Sequence, residues 1–218
     1  MSSRAFARSA AGVPERAART PVEWGLAARC RRGQATSGDL GIVSLLSDGV
    51  LVAAIDGLGH GSEAARAARR AAQVVRQSST GDLVPLVYRC HAALRGTRGA
   101  AISLAFVSLA TSKMTWLGVG SVEGRVLSGD PAALRPKGSL ALARGVPGHE
   151  LPVLGSTELG LRTGDLLVLA TDGIAAAFAD ALDVSGSPQA ISERILAEHW
   201  KRADDALVLT VRYLGGRT

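Results

Sequence analysis

Val50-Leu51-Val52-Ala53-Ala54-Ile55 runs into Asp56-Gly57-Leu58-Gly59-His60-Gly61, and Ser62-Glu63-Ala64-Ala65-Arg66-Ala67-Ala68-Arg69-Arg70 follows. The first six residues are an unbroken apolar run, partly β-branched, and predict a buried strand. The last block predicts a helix from Gly61 to Ser78. Ala64, Ala68, Ala71 and Val75 share one of its faces, while Arg66, Arg69, Arg70 and Arg76 lie mostly elsewhere. Ser62 is placed to cap the first turn, and Glu63 favours the positive end of the helix dipole. Between strand and helix, three glycines in five positions let the backbone approach a ligand closely. They also expose carbonyl groups as metal ligands and N–H groups at the start of the helix.

Upstream, Asp39 to Ser47 is a second apolar stretch, and Ser47-Asp48-Gly49 is a turn signal, so the two runs predict a β-hairpin. Val22 to Ala28 reads as an earlier strand. Downstream, Gly81 breaks the first helix and Asp82 is placed to cap a second one through about Leu94. Strands are expected at Ala100–Ala110, Met114–Val119 and Glu123–Ser128, with a turn at Ser128-Gly129-Asp130-Pro131. Thr163-Gly164-Asp165 turns into Leu166 to Ala170, a buried strand. Helices are expected from Ile174 to Leu182 and from Pro188 to Trp200, with Pro188 at its first turn, and Ala206 to Tyr213 closes the chain as a strand. Runs of strands alternating with runs of helices predict an α+β domain over residues 21–218, with helices packed on antiparallel sheets. Residues 1–20 carry Arg4, Arg8, Arg16 and Arg19 against Glu15 alone and are expected to form a disordered arm.

The chain has 218 residues, enough for one well-buried core. No apolar run reaches the roughly 20 residues that span a membrane; Leu166 to Leu182 is interrupted by Asp172 and Asp180. Cys30 and Cys90 have no metal-like or disulfide-framework spacing, and a cytoplasmic location is expected. The net charge is +6, and 22 of the 25 basic residues are arginine. That invites a nucleic-acid reading, but the 8 aromatic residues make a poor base-stacking platform and the arginines are spread along the chain. An acidic or phosphorylated partner suits this charge better.

The acids carry the chemistry. Asp39 begins an apolar stretch, Asp56 and Asp172 each end one and are followed by glycine, and Asp204 and Asp205 precede the last strand. A carboxylate at the mouth of a buried strand is costly unless it is paired, capped or bound to a cation. Were these acids to converge, repulsion would raise their pKa values or call in a divalent metal, with Mg²⁺ or Mn²⁺ favoured by an all-oxygen site. Each Asp-Gly has a plainer reading as a turn, which Asp48-Gly49 illustrates.

DGLGHG after an apolar strand, with SGD upstream (Ser37-Gly38-Asp39), TDG downstream (Thr171-Asp172-Gly173) and a terminal Asp204-Asp205, resembles the SpoIIE-type branch of the PPM (protein phosphatase 2C-like) serine/threonine phosphatases. Within that branch the resemblance is to the small stand-alone RsbX group of stressosome signalling. Arg98-Gly99-Ala100-Ala101 looks like the middle of those chains, and Gly118-Val119-Gly120-Ser121-Val122-Glu123 looks like their GxGNxE-type segment, with Ser121 in place of asparagine. The resemblance implies an αββα sandwich and two Mn²⁺ or Mg²⁺ ions bridged by one aspartate and a water that attacks phosphorus. By motif position, Asp56 would bridge the ions and the Gly57 carbonyl would hold one of them. Asp39, Asp172 and Asp204 would complete the set, with Asp205 either orienting Asp204 or replacing it. The implied catalytic residues are Asp56, Asp39 and Asp172.

The resemblance further implies a monomer whose substrates are phosphorylated STAS-domain proteins of the RsbS/RsbR kind. The alternatives are a phosphatase of an anti-anti-sigma factor, a pseudophosphatase binding module or, third, a nucleic-acid binder. His60 lies four residues after Asp56, so the acid role of the DGHGG histidine in eukaryotic members does not transfer. Arg31 and Arg32 are expected at the surface, and His91, His149 and His199 in structural or solvated positions.

Overall fold

The computed structural model describes residues 20–129, 136–179 and 182–216. The expected arm at 1–20 therefore lies outside the described residues, apart from Thr20, as do Asp130 and Pro131 of the expected turn. The strands are β1 (Val22–Arg29), β2 (Asp39–Leu45), β3 (Gly49–Gly57), β4 (Ala100–Ser108), β5 (Lys113–Val119), β6 (Glu123–Leu127), β7 (Pro136–Ser139), β8 (Leu142–Ala143), β9 (Thr157–Gly160), β10 (Leu166–Ala170) and β11 (Ala206–Tyr213). The helices are α1 (Gly61–Arg76), α2 (Leu83–Leu94) and α3 (Pro188–His199).

The hairpin forms as expected, with β2 and β3 antiparallel from Val50 opposite Leu45 to Asp56 opposite Asp39. It belongs to a sheet ordered β2-β3-β4-β5-β8, with β9 also paired to β5. The second sheet is ordered β1-β11-β10-β6-β7. Side-chain alternation then sets the layers. Leu51, Ala53 and Ile55 point to α1 and α2, where they meet Ala68, Ala71, Val75, Leu86 and Val87. Val50, Val52 and Ala54 point the other way and pack with Leu167, Leu169, Leu207, Leu209 and Val211 of the second sheet. Val168 and Val208 turn outward to Ile191 and Ile195 of α3. The result is the αββα sandwich that the resemblance implied, with an apolar layer on each side of each sheet.

Three details differ from the sequence reading. The helix expected from Ile174 to Leu182 is only a 3-10 turn at Ala176–Ala179 within the described residues. Its backbone is committed elsewhere. Ile174 forms a β-bridge with Trp200, and the Ala175 N–H donates to the His199 carbonyl at 2.9 Å. β7, β8 and β9 were not read at all, being two to four residues long without apolar alternation, and β8 pairs with β5 in parallel rather than antiparallel. The residue that caps α1 is His60, in an extended conformation without a side-chain cap bond, so Ser62 lies within the first turn instead of before it.

α3 is fastened to the second sheet by polar contacts as well as apolar ones. The Gln189 side chain accepts from the Leu26 N–H at 3.0 Å and donates to the Leu26 carbonyl at 3.1 Å. Ser192, fully buried, donates to the Gly25 carbonyl at 3.0 Å and lies 2.9 Å from the Thr210 hydroxyl. Ser192→Ala strands both partners without water, and is expected to lower unfolding free energy by about 1–3 kcal/mol. Urea denaturation checks this; an unchanged midpoint would show that the contact contributes nothing.

Candidate active site

The rows of side chains that fill the space between the sheets continue past their last apolar members. In β3 the row Val50, Val52, Ala54 ends on Asp56, and in β2 the row through Val43 and Gly41 ends on Asp39. In β10 the row Leu167, Leu169 continues to Thr171, and in β11 the row Leu209, Leu207 begins from Asp205. Period-two alternation alone therefore delivers polar groups from four strands to one end of the intersheet core.

Asp39 and Asp56 face each other in register across the hairpin. Like charges directly opposite in a sheet repel. Asp39 is buried, and the Thr171 hydroxyl donates to its carboxylate at 2.8 Å. The same hydroxyl oxygen accepts the Leu207 N–H at 2.8 Å, which locks Thr171 between Asp39 and β11. Burial, followed by the neighbouring acids Asp205, Asp172 and Asp204, pushes Asp39 up to about 7 against the pull of Thr171. Asp56 is pushed further, to about 9, by burial and then by Asp39, Asp172 and Asp204. The nearby Asp39 carboxyl thus favours a protonated Asp56, and one proton on the pair relieves the repulsion.

Asp172 and Asp204 come from the joint between β10 and β11. Here the Thr171 N–H donates to the Leu207 carbonyl at 3.0 Å and the Lys201 N–H to the Gly173 carbonyl at 2.9 Å. A Cβ on Gly173 would lie 1.8 Å from the Asp205 carbonyl oxygen, so the close approach of these two segments requires glycine after Asp172. Asp172 is exposed at the cleft mouth, and its carboxyl is raised by burial of part of its surface and by Asp204; Lys201 and Ser121 act in the opposite direction. The Lys201 ammonium donates to the Asp172 carbonyl at 2.6 Å.

Asp205 behaves differently from its neighbour. Its carboxylate accepts the Arg31 N–H at 2.8 Å and the Gly38 N–H at 2.7 Å, and it is buried. It thereby holds the loop that leads into Asp39. Asp204 instead lines a cleft of about 310 Å³ with Asp56, Asp172, Ser121, Leu58, Gly59 and Val146 among others. Ser121 donates to Asp56 at 3.4 Å and also touches Asp172, so it sits between them.

The structure thus brings Asp39, Asp56, Asp172, Asp204 and Asp205 to one end of the sandwich, with Gly57 at the edge of β3. His60 is exposed and does not line the cleft. His91 accepts the Gly148 N–H at 3.1 Å, a structural contact. Sequence reasoning assigned no role to Thr171, and it singled out Ser121 only through the resemblance; Thr171 stood in view inside Thr171-Asp172-Gly173. Lys201 had no signal, because its place depends on the turn before β11.

The donor set is oxygen only, anionic and self-repelling, which suits a hard divalent cation. Among the described residues no three His, Cys, Asp or Glu side chains close tightly enough to hold an ion by themselves. Backbone carbonyls and water would have to complete a coordination shell, a pattern that hard cations accept.

Residues 47–214 match the family model described as Stage II sporulation protein E (SpoIIE). The chain belongs to the SpoIIE family. It is a PPM-type serine/threonine phosphatase of the RsbX/SpoIIE kind. A solved structure described as "The bacterial stressosome: a modular system that has been adapted to control secondary messenger signaling" is 30% identical to this SpoIIE-family chain, with a TM-score of 0.79 over 88% of it and 99% of the other. RsbX in complex with magnesium is 20% identical, with a TM-score of 0.77 over 88% of this chain and 95% of that one. The PP2C phosphatase domain of SpoIIE from Bacillus subtilis, with a fragment of its regulatory domain, is 18% identical, with a TM-score of 0.70 over 90% of this chain and 64% of that one. These last two share the fold. No curated protein sequence matches the chain.

The raised carboxyls make stability depend on pH. Between the ordinary carboxylate range and about pH 7 for Asp39, or about pH 9 for Asp56, the folded state keeps protons that the unfolded chain has lost. The stabilisation is present below the ordinary range and is lost as pH rises through these values. In EDTA the melting temperature of this phosphatase is therefore expected to fall from about pH 5 to about pH 9, and Asp56→Asn to flatten the decline. Thermal scans across that range check it, and a wild-type profile that rises with pH would contradict it.

Proposed function

We propose that this phosphatase removes phosphate from serine or threonine of STAS-domain stressosome proteins, acting as a monomer and as negative feedback on a stress response. The observation that carries the catalytic part is the gathering of Asp39, Asp56, Asp172 and Asp204 at one end of the sandwich, where burial and the neighbouring acids hold the Asp39, Asp56 and Asp172 carboxyls above their ordinary range. The stressosome part rests on the 30% identity with a chain solved in that context.

Asp56 is assigned as the ligand shared between two Mn²⁺ or Mg²⁺ ions, with the Gly57 carbonyl, Asp39, Asp172 and Asp204 completing the sites. Asp205 is assigned the orienting role rather than that of a ligand: its carboxylate is occupied by the Arg31 and Gly38 N–H groups, so it positions the Asp39 loop and Asp204. The ions would supply charge neutralisation of the phosphoryl oxygens and an acidified water at neutral pH. The chain's own residues do the rest. Thr171 holds Asp39 against rotation through its hydroxyl. Ser121 bridges Asp56 and Asp172 and keeps their spacing. Lys201 fixes the backbone of Asp172. Leu58, Ala101 and Val146 give the cleft an apolar wall, which limits water beside the reacting group.

Hydrolysis of an aryl phosphate and of a phosphorylated STAS-domain protein, each with Mn²⁺, Mg²⁺ or EDTA, tests this. Turnover is expected only with metal, and Asp56→Asn is expected to fall to the EDTA background while keeping its fold by circular dichroism. Wild-type turnover in Asp56→Asn would sink the shared-ligand assignment. Equal rates on the STAS-domain protein and an unrelated phosphoprotein would remove the substrate assignment and leave the chemistry.

A further inference from the structure

The cleft is lined by three acids, Asp56, Asp172 and Asp204, so it repels the phosphomonoester dianion it is meant to receive until cations are bound. Bound cations neutralise the acids but do not orient the phosphate from its outer side. A group of the right charge lies against one lip of the cleft, just outside its lining. Gly59, which lines the cleft, has φ +87°, and a Cβ placed on it would lie 2.8 Å from a guanidinium nitrogen of Arg98. The arginine therefore lies directly against the backbone of the lip.

The segment that carries Arg98 is tied down on several sides. The Thr97 hydroxyl donates to the Leu94 carbonyl at 2.6 Å and accepts the Gly99 N–H at 3.0 Å. The Leu58 N–H donates to the Gly99 carbonyl at 3.0 Å, which joins the segment to the glycine loop after Asp56. The Ala100 N–H donates to the Pro147 carbonyl at 3.2 Å, next to the cleft-lining Val146. The stem is fixed while the head is free: Arg98 is exposed, and among the described residues no hydrogen bond or ion pair uses its guanidinium donors. The Lys201 ammonium, by contrast, is already spent on the Asp172 carbonyl.

We propose that Arg98 anchors the substrate phosphate, receiving two of its peripheral oxygens on the planar guanidinium fork while the acids and their cations act on the other side. The inference rests on the phosphatase reading above. A fork of this kind matches phosphate geometry bidentately, which an ammonium does not. Loss of Arg98 acts on binding of the phosphate in every substrate, whatever polypeptide surrounds it.

The test uses the full chain loaded with Mg²⁺. Charge-assisted hydrogen bonds of this kind change binding by roughly 10- to 100-fold. Arg98→Ala is expected to raise KM for an aryl phosphate by that factor with a smaller change in kcat, and to weaken inhibition by inorganic phosphate equally. Arg98→Lys should recover part of the loss. Arg76→Ala, which removes an exposed arginine at the far end of α1, should match wild type. Calorimetric titration of inorganic phosphate into the Mg²⁺-loaded protein reads the same contact without turnover. An unchanged phosphate affinity in Arg98→Ala overturns the proposal. So does a KM that rises for a phosphoprotein but not for an aryl phosphate, since that places Arg98 in polypeptide docking. Absence of metal-dependent turnover in wild type counts against the phosphatase reading, and the titration still decides on Arg98.

Discussion

Asp39 and Asp56 stand opposite each other on neighbouring strands, at the edge of a core that holds no water-like surroundings for their charge. Everything else at that end of the molecule accommodates this pair. With a shared proton the pair is tolerable, and with a cation it becomes favourable, because the ion replaces both the lost hydration and the proton. Thr171 donates to Asp39 and Ser121 to Asp56, while Asp205 holds the loop that leads into Asp39. The hydrogen bonds to the two carboxyls come from neutral groups, so their charge is left uncompensated.

The adjacent acids Asp204 and Asp205 divide two tasks that a single residue could not perform. Alternation along β11 turns Asp205 into the intersheet row, where it meets backbone N–H groups, and leaves Asp204 at the cleft. Asp204 in turn accepts the Asp205 N–H at 2.9 Å on its own carboxylate and receives the Trp200 indole N–H on its carbonyl at 3.0 Å. The pair behaves as a single rigid unit with one face inside the protein and one outside.

The strands that carry the site were legible because burial on both faces leaves an unmistakable trace. Leu166–Ala170 and Ala206–Tyr213 are apolar at nearly every position, and their ends are marked by turn residues or acids. The acids at those ends were legible for the same reason, as a charge where an apolar run stops. The segment after Asp172 misled: its alanines favour a helix locally, but the bridge from Ile174 to Trp200 and the bond from Ala175 to His199 claim its backbone. Pro136-Lys137-Gly138-Ser139 forms an edge strand that only needs a neighbour to pair with, so its residues carry no pattern. Contacts made by Lys201 and Arg98 were illegible because they arise from the meeting of loops, for which no periodicity exists.

β11 is the last strand among the described residues and yet lies inside its sheet, between β1 and β10. Asp39 belongs to the second strand and Asp205 immediately precedes the eleventh, so the two ends of the described chain must find each other before the acids meet. Long sequence separation of this kind slows folding, because loop-closure entropy is spent before the contacts form. A chain folded only as far as β10 lacks the strand that completes the sheet and the Asp205 carboxylate that holds the Asp39 loop. The hairpin that carries Asp39 and Asp56 therefore cannot assemble the acid cluster alone: the cluster closes only when β11 docks between β1 and β10.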